Sequence, residues 1–425
     1  MKGSIQVRNT SRSIAALLSV SLAACSHGAG MLPTNVAASQ RTMRSDAKSP
    51  YKFKVLESFT GDNGLEPLAN LTTDKNGNFY GTTYSGFHRD GTLFKLDSAG
   101  KKLKTLYNFE QNLTGPGSDV LMDSQRNLYG TTYTGQGYTY EYGGVYKVNP
   151  QGVESVLYAF TNGSDGSEPF GNPIMDAQGN VYGTAYGGGS TQGSCTGSGC
   201  GVVFKVTTAG AFSVVHTFTY GDGAQPQGGV IMDSSGNLYG TTAFGGSAKY
   251  GTVYKISSGG KESVLYNFTN GQDGGEPVAS LLLDASGNLY GTASTGGNKV
   301  AACANGPASG CGTVFKIDSS GHETTLHAFS SQPDGAQPYS ALIMDGNGNL
   351  YGTAREGGKG QYNGTVFEVS SSGSAFSVLH SFIFNDGEEP QGSLYLDASG
   401  DLYGTTSVDG PGNGGTVYKL SPQTP

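Results

Sequence analysis

An apolar residue followed by the triplet Tyr-Gly-Thr occurs seven times, at Tyr80, Tyr129, Tyr182, Tyr239, Tyr290, Tyr351 and Tyr403, and this repetition limits the possible folds more than any other feature of the chain. Successive copies stand 49 to 61 residues apart, each inside the same longer pattern. An Asp lies six residues before every Tyr: Asp74, Asp123, Asp176, Asp233, Asp284, Asp345 and Asp397. A run such as Gly-Thr-Val-Phe-Lys-Ile follows, as at Gly312–Ile317, and then one such as Val-Leu-Tyr-Asn-Phe, as at Val264–Phe268. A chain of 425 residues would ordinarily suggest two or three domains. Here one unit is copied, and repeat folds grow by stacking copies that cannot bury their apolar faces alone.

Each unit holds four short runs rich in Val, Leu, Ile, Tyr and Phe and bounded by Gly, Asn and Ser. In the fifth copy they are Val278–Leu283, Leu289–Ala293, Thr313–Ile317 and Thr324–Phe329. The link Asp284-Ala285-Ser286-Gly287-Asn288 reads as a tight hairpin, in which Asp caps the turn and Gly takes positive φ without steric cost. Four antiparallel strands recurring about every 53 residues match propeller blades, whereas a parallel solenoid repeats at half that length or less. The ends distinguish a ring from an open array. The last unit supplies only Ser393–Leu396, Leu402–Thr406 and Thr416–Leu420, while an orphan run, Phe53–Phe59, opens the repeats and matches fourth strands such as Ser155–Phe160. Pairing the two would remove an exposed sheet edge. The expected fold is therefore all-β: residues 51–425 form a seven-bladed β-propeller of four-stranded antiparallel blades, the last closed by the N-terminal strand.

These units resemble the Gloeo/Verruco (GloVer) tandem repeat of choice-of-anchor bacterial surface proteins. The resemblance rests on Asp284–Thr292, Gly312–Ile317 and their six counterparts, and covers about residues 52–422. It implies export and anchoring, and it brings no agreed activity or catalytic residue with it. The departures are Arg126 in place of Gly, Asp401 in place of Asn and Glu368 in place of Lys.

Residues 1–24 carry Lys2, Arg8 and Arg12 and then an apolar run, Ile14–Ala24, too short to span a bilayer. The run ends in Leu22-Ala23-Ala24-Cys25, which resembles the lipobox of bacterial lipoproteins. That resemblance implies lipidation of Cys25 as the mature N-terminus. With Ser26 next, it also implies an outer-membrane or cell-surface location. The rival reading is an ordinary secretory signal with an incidental Cys. Residues 25–50 show no periodicity and read as a flexible tether. Loss of residues 1–24 removes three cations and no acid, shifting the net charge from −8 to −11. Nucleic acid is thereby disfavoured, since its binding rests on Lys and Arg neutralising phosphates. The expected membrane contact is through the lipid anchor alone, and a monomer is expected.

Strand alternation places the loops after each second strand on the same face as the connections between blades, and these loops vary in length. A constant scaffold with variable loops is how binding surfaces are built; neutral drift would leave the same pattern. Two long loops hold Cys195 with Cys200 and Cys303 with Cys311. In an oxidising compartment each pair closes a local disulfide. Zinc is the rival, but neither pair brings a His or four ligands. The loop after Tyr129 carries Tyr133, Tyr138, Tyr140 and Tyr142, rings able to stack on a sugar or anchor a peptide, or else to pack over the propeller rim.

The blade connections carry Asp-Gly-x-Glu/Gln-Pro in most copies, for example Asp165–Pro169, Asp273–Pro277 and Asp386–Pro390. Acids at a channel mouth could hold Ca²⁺, and the alternative is a turn capped by Asp and fixed by Pro. No other cofactor is indicated. His216, His327 and His380 share one strand position with Tyr107, Tyr158, Tyr266 and Glu57, which favours packing over catalysis. No nucleophile elbow, zinc-protease motif or phosphate loop occurs. No catalytic residue is assigned, and the first reading is a surface-tethered module binding a glycan or protein ligand. The second is an enzyme acting on polysaccharide, a lyase or hydrolase. His88, Arg89, Arg355 and Glu356 are the irregular polar residues that bear on it.

Overall fold

The computed structural model describes residues 50–423 except 87–89, 111, 136–138, 140, 304–308 and 361. The expected signal, Cys25 and nearly all of the expected tether lie outside the described residues, as do His88, Arg89, Tyr138 and Tyr140. Residues 49–425 make one compact unit.

Seven four-stranded antiparallel sheets follow one another as seven blades. Blade 1 comprises Thr72–Thr73, Phe79–Thr83, Thr92–Leu96 and Leu103–Asn108. Blade 4 comprises Ile231–Met232, Leu238–Thr242, Thr252–Ile256 and Glu262–Asn267. Blade 7 takes Tyr395–Leu396, Leu402–Thr406 and Thr416–Pro422 from the C-terminus and Tyr51–Ser58 from the N-terminus. Tyr51 lies opposite Pro422 and Ser58 opposite Thr416, so the chain ends close the ring as the offset repeats require.

The repeated residues each have a physical task. The Gly of the triplet lies opposite the aromatic residue of the third strand, as Gly81 opposite Phe94 and Gly183 opposite Phe204. A β-carbon there would stand 2.7 Å from the Phe94 ring or 2.6 Å from the Phe204 ring, so only glycine lets the ring lie across the sheet. The Tyr hydroxyl donates to the Asp six residues earlier at 3.0–3.3 Å in all seven blades. That Asp also caps its own turn: Asp284 accepts from the Ser286 and Asn288 amides at 2.8 and 2.9 Å. For Asp74, burial opposes ionisation, but donors from Asn78, Asn76 and Tyr80 outweigh it and hold the carboxyl down at about 2. In six blades the third-strand Lys sits over the Tyr ring at 5.2–5.6 Å.

The Thr of the triplet joins one blade to the next. Its buried hydroxyl donates to a backbone carbonyl of the following blade's innermost segment: Thr82 to Ser118, Thr184 to Gly228, Thr241 to Ala279, Thr292 to Ser340, Thr353 to Gly392 and Thr405 to Ala69, at 2.9–3.3 Å. Thr131 is the exception; its hydroxyl is buried without a partner.

The innermost strands are shorter than the sequence suggests. In blade 5 only Leu282–Leu283 pairs in the sheet, where Val278–Leu283 was expected. Near the axis, backbone groups of successive blades converge and are satisfied between blades. Ala279 uses its carbonyl on Thr241, and Ser280 offers its hydroxyl oxygen to the Gly229 amide at 2.9 Å.

Candidate functional site

The site is built from the segments that lead into each blade, and it lies where the variable loops gather around the axis. Six of the seven connections hold a Glu or Gln before the Pro, and that residue has positive φ: 57° at Glu66, 55° at Glu168, 56° at Gln225, 51° at Glu276, 53° at Gln337 and 53° at Glu389. Its amide donates to the preceding blade's loop, as Glu276 to the Tyr250 carbonyl at 2.8 Å. Its carbonyl accepts from the residue just past the next Tyr-Gly-Thr run, as Glu66 from the Tyr84 amide at 2.9 Å. Both backbone bonds hold it in the left-handed region, which costs a non-glycine residue about 1 kcal/mol or more. Glycine fits the same place, since Gly115 occupies it in blade 2 at 64°. The other six blades keep an acid or amide at a position where glycine is conformationally easier.

Two further positions per blade differ from copy to copy at this mouth. Just past the triplet run come Tyr84, Tyr133, Tyr186, Ala243, Ser294, Arg355 and Ser407. After the Pro come Leu68, Gly117, Phe170, Gln227, Val278, Tyr339 and Gln391, all lining a central cavity of about 70 Å³. Blades 1–3 form an aromatic sector. The Tyr133 ring meets Phe170 edge-on at 6.1 Å, and its hydroxyl donates to Glu168 at 3.2 Å. Tyr84 and Phe170 lie against Gly117, whose missing side chain makes room for both rings. Among the described residues no side chain hydrogen-bonds the hydroxyls of half-buried Tyr84 or Tyr186, and burial pushes Tyr186 up to about 12.

Blades 6 and 7 form a charged sector. Arg355 holds Glu389 through two donors at 2.9 and 3.1 Å, and its guanidinium lies 5.7 Å from the Tyr339 ring centre. Burial raises the carboxyls of Glu66, Glu168, Glu276 and Glu356. Glu388 reaches about 7, first through burial and then through the adjacent Asp409, while the Asn363 amide donates to it. Deeper in the channel, Asn70, Asp119 and Asn172 link blades 7, 1, 2 and 3 in series. Asn70 accepts from the Ser393 amide, Asp119 accepts from Asn70 at 2.6 and 2.9 Å, and Asn172 accepts from the Asp119 amide at 3.1 Å. Burial lifts the Asp119 carboxyl to about 7.

Of the residues singled out in the sequence, Tyr133, Arg355 and Glu356 lie at or beside the mouth. Tyr142 does not; its ring packs on the core between blades 2 and 3, and its carbonyl receives the Glu168 amide. In the five connections that carry the full Asp-Gly-x-Glu/Gln-Pro pattern, the Asp turns to the fourth strand of the preceding blade, away from the axis. Asp165 and Asp273 accept from Tyr158 and Tyr266, and Asp222, Asp334 and Asp386 accept from His216, His327 and His380, all at 2.9–3.1 Å. This shared acceptor is why His and Tyr exchange at that strand position. Cys195–Cys200 and Cys303–Cys311 are disulfide-bonded, with Cα atoms 5.0 and 5.1 Å apart. Sequence reasoning missed Tyr84, Tyr186, Phe170, Asn70 and Asp119. Superposing the seven units column by column would expose them, because they occupy variable columns between invariant ones.

The family model of the Gloeobacter/Verrucomicrobia repeat matches residues 42–197, 191–303 and 300–425. The chain belongs to this repeat family. No curated protein sequence matches it. Among solved structures, an oligogalacturonate lyase in complex with manganese is similar over 89% of this chain and 95% of its own, at 11% identity and a TM-score of 0.54. The extracellular domain of the putative one component system BT4673 from B. thetaiotaomicron is similar over 86% of this chain and 39% of its own, at 11% identity and a TM-score of 0.51. At such identity these likenesses show the fold alone.

Proposed function

We propose that this repeat-family propeller is an exported, lipid-anchored binding module that takes a glycan at the channel mouth. The observation that carries the reading is the retention of Glu or Gln at positive φ in six connections, beside the arc Tyr84, Tyr133, Tyr186 and Phe170. The fold needs neither, since blade 2 has Gly at the first position and blade 4 has Ala243 at the second. Aromatic rings, two of them (Tyr84 and Tyr186) with hydroxyls that no described side chain hydrogen-bonds, beside carboxylate and amide groups suit a sugar, which offers one apolar face and a rim of hydroxyls. The Leu22–Cys25 sequence and the two loop disulfides support export and anchoring.

The test is a glycan array probed with the mature domain and with the Tyr84→Ala/Tyr186→Ala variant. Binding by the first, lost in the second without loss of stability, is expected. Equal binding by both refutes the mouth as the site. Substituting Cys25 should move the protein from the membrane to the soluble fraction. A second reading, an enzyme acting on polysaccharide, is favoured by Glu388, a carboxyl near 7 and therefore able to act as general acid beside Asp409 and Glu389, the latter held by Arg355. Product release lost on Arg355→Ala but kept in Tyr84→Ala would support it.

A further inference from the structure

We propose that His216, Asp222 and Glu262 form a binding site for a divalent first-row transition-metal ion at the outer junction of blades 3 and 4. Neighbouring blades meet near the rim through one repeated contact. The fourth-strand Tyr or His of one blade faces a residue near the start of the fourth strand of the next. At most junctions this contact is self-sufficient. Tyr158 stacks on Phe212 at 3.8 Å, His327 on Phe376 at 3.6 Å and His380 on Phe53 at 4.0 Å. Tyr107 donates its hydroxyl hydrogen to Glu154 at 2.9 Å. The junction of blades 3 and 4 instead sets a His against a Glu. One ligand atom from each of His216, Asp222 and Glu262 lies within 4.8 Å of the other two, and no other such group occurs among the described residues.

The geometry suits an ion. His216 Nε2 and Asp222 Oδ2 are 3.0 Å apart in a hydrogen bond, so a small rotation of the two side chains, with the ring proton moved to Nδ1, turns both atoms onto one centre about 2.1 Å from each. Asp222 Oδ1 is fixed by the Thr219 amide at 2.8 Å and hydroxyl at 3.2 Å, which turns Oδ2 toward the site. Phe218 meets the His216 ring edge-on at 4.9 Å and sets its plane. Glu262 has an enclosed oxygen with no donor, and its carboxylate has no protein hydrogen bond to break when it swings onto the ion. An imidazole with two carboxylates favours zinc or manganese over calcium, which takes oxygen ligands alone. Three protein ligands leave further positions for water or a ligand.

The repeats supply the test. His216→Tyr with Glu262→Phe recreates the Tyr158–Phe212 pair of the preceding junction, so the double variant should fold. Zn²⁺ is titrated calorimetrically into the full-length mature protein. One site with a dissociation constant on the order of 10 µM or tighter is expected, weakened at least about 100-fold in H216Y/E262F and unchanged in H327Y. Zinc binding of equal strength in H216Y/E262F would overturn the assignment, as would no uptake at millimolar zinc. Ca²⁺ displacing zinc at equal concentration would overturn the metal class.

Discussion

The seam of the ring is the one place where two neighbouring strands of a blade come from opposite ends of the chain, and its contribution to stability can be measured. Lys52 lies opposite Ser421 in the pairing of Tyr51–Ser58 with Thr416–Pro422, and both side chains border the same shallow depression. A disulfide in K52C/S421C would close a loop of about 370 residues, which the chain-entropy treatment values at about 6 kcal/mol. A bridge at the opposed pair Lys255 and Ser263, across the third and fourth strands of blade 4, closes about nine residues and is worth about 3 kcal/mol on the same treatment. Strain lowers both values, but the difference of about 3 kcal/mol survives if the two distortions are alike. Urea unfolding of residues 49–425 is followed in each double variant and its single-cysteine parents, with free thiols counted beforehand. The seam bridge should form in air and raise the midpoint by about 1 M more than the blade 4 bridge. Thiols that stay free in K52C/S421C, or a gain no larger than that of K255C/S263C, would refute closure of the ring by the chain ends.

Three further outcomes are expected. Thr241→Val should cost about 1–2 kcal/mol by leaving the Ala279 carbonyl without its donor, whereas Thr131→Val, whose hydroxyl has no partner, should cost nothing; paired urea midpoints decide it. Arg126 occupies the glycine position of its turn at φ 64°, so Arg126→Gly should stabilise by about 0.5–1 kcal/mol, and a lower midpoint would show that the arginine side chain matters more than its backbone. Asp119 has a folded-state carboxyl raised to about 7, so the native state holds a proton that the unfolded chain has already lost, and its stabilising effect fades as pH rises from about 4 to 7. Asp119→Asn should therefore match the wild type below pH 4 and exceed it by about 1–2 kcal/mol above pH 7, after allowance for water in the channel; a gap independent of pH would show that Asp119 does not titrate there.

The sequence by itself determined the ring. Asp, Tyr, Gly and Thr at fixed offsets each answer to a local need: a turn capped by its own Asp, a ring laid over a glycine, a hydroxyl reaching the next blade. Such needs repeat with the chain, so they are legible as periodicity, and the orphan strand at Phe53 fixed how the ends meet. Tertiary structure alone decided what gathers at the axis. Tyr84, Phe170, Arg355 and Glu389 come from four blades and share no motif, and they meet because each blade delivers the same three positions to one small circle. The positive φ before each Pro was likewise hidden, because Glu and Gln do not advertise a left-handed backbone as Gly does. The short inner strands were misjudged for the same reason: near the axis, partners belong to the neighbouring blade, and a periodic sequence does not distinguish a bond within a unit from one between units.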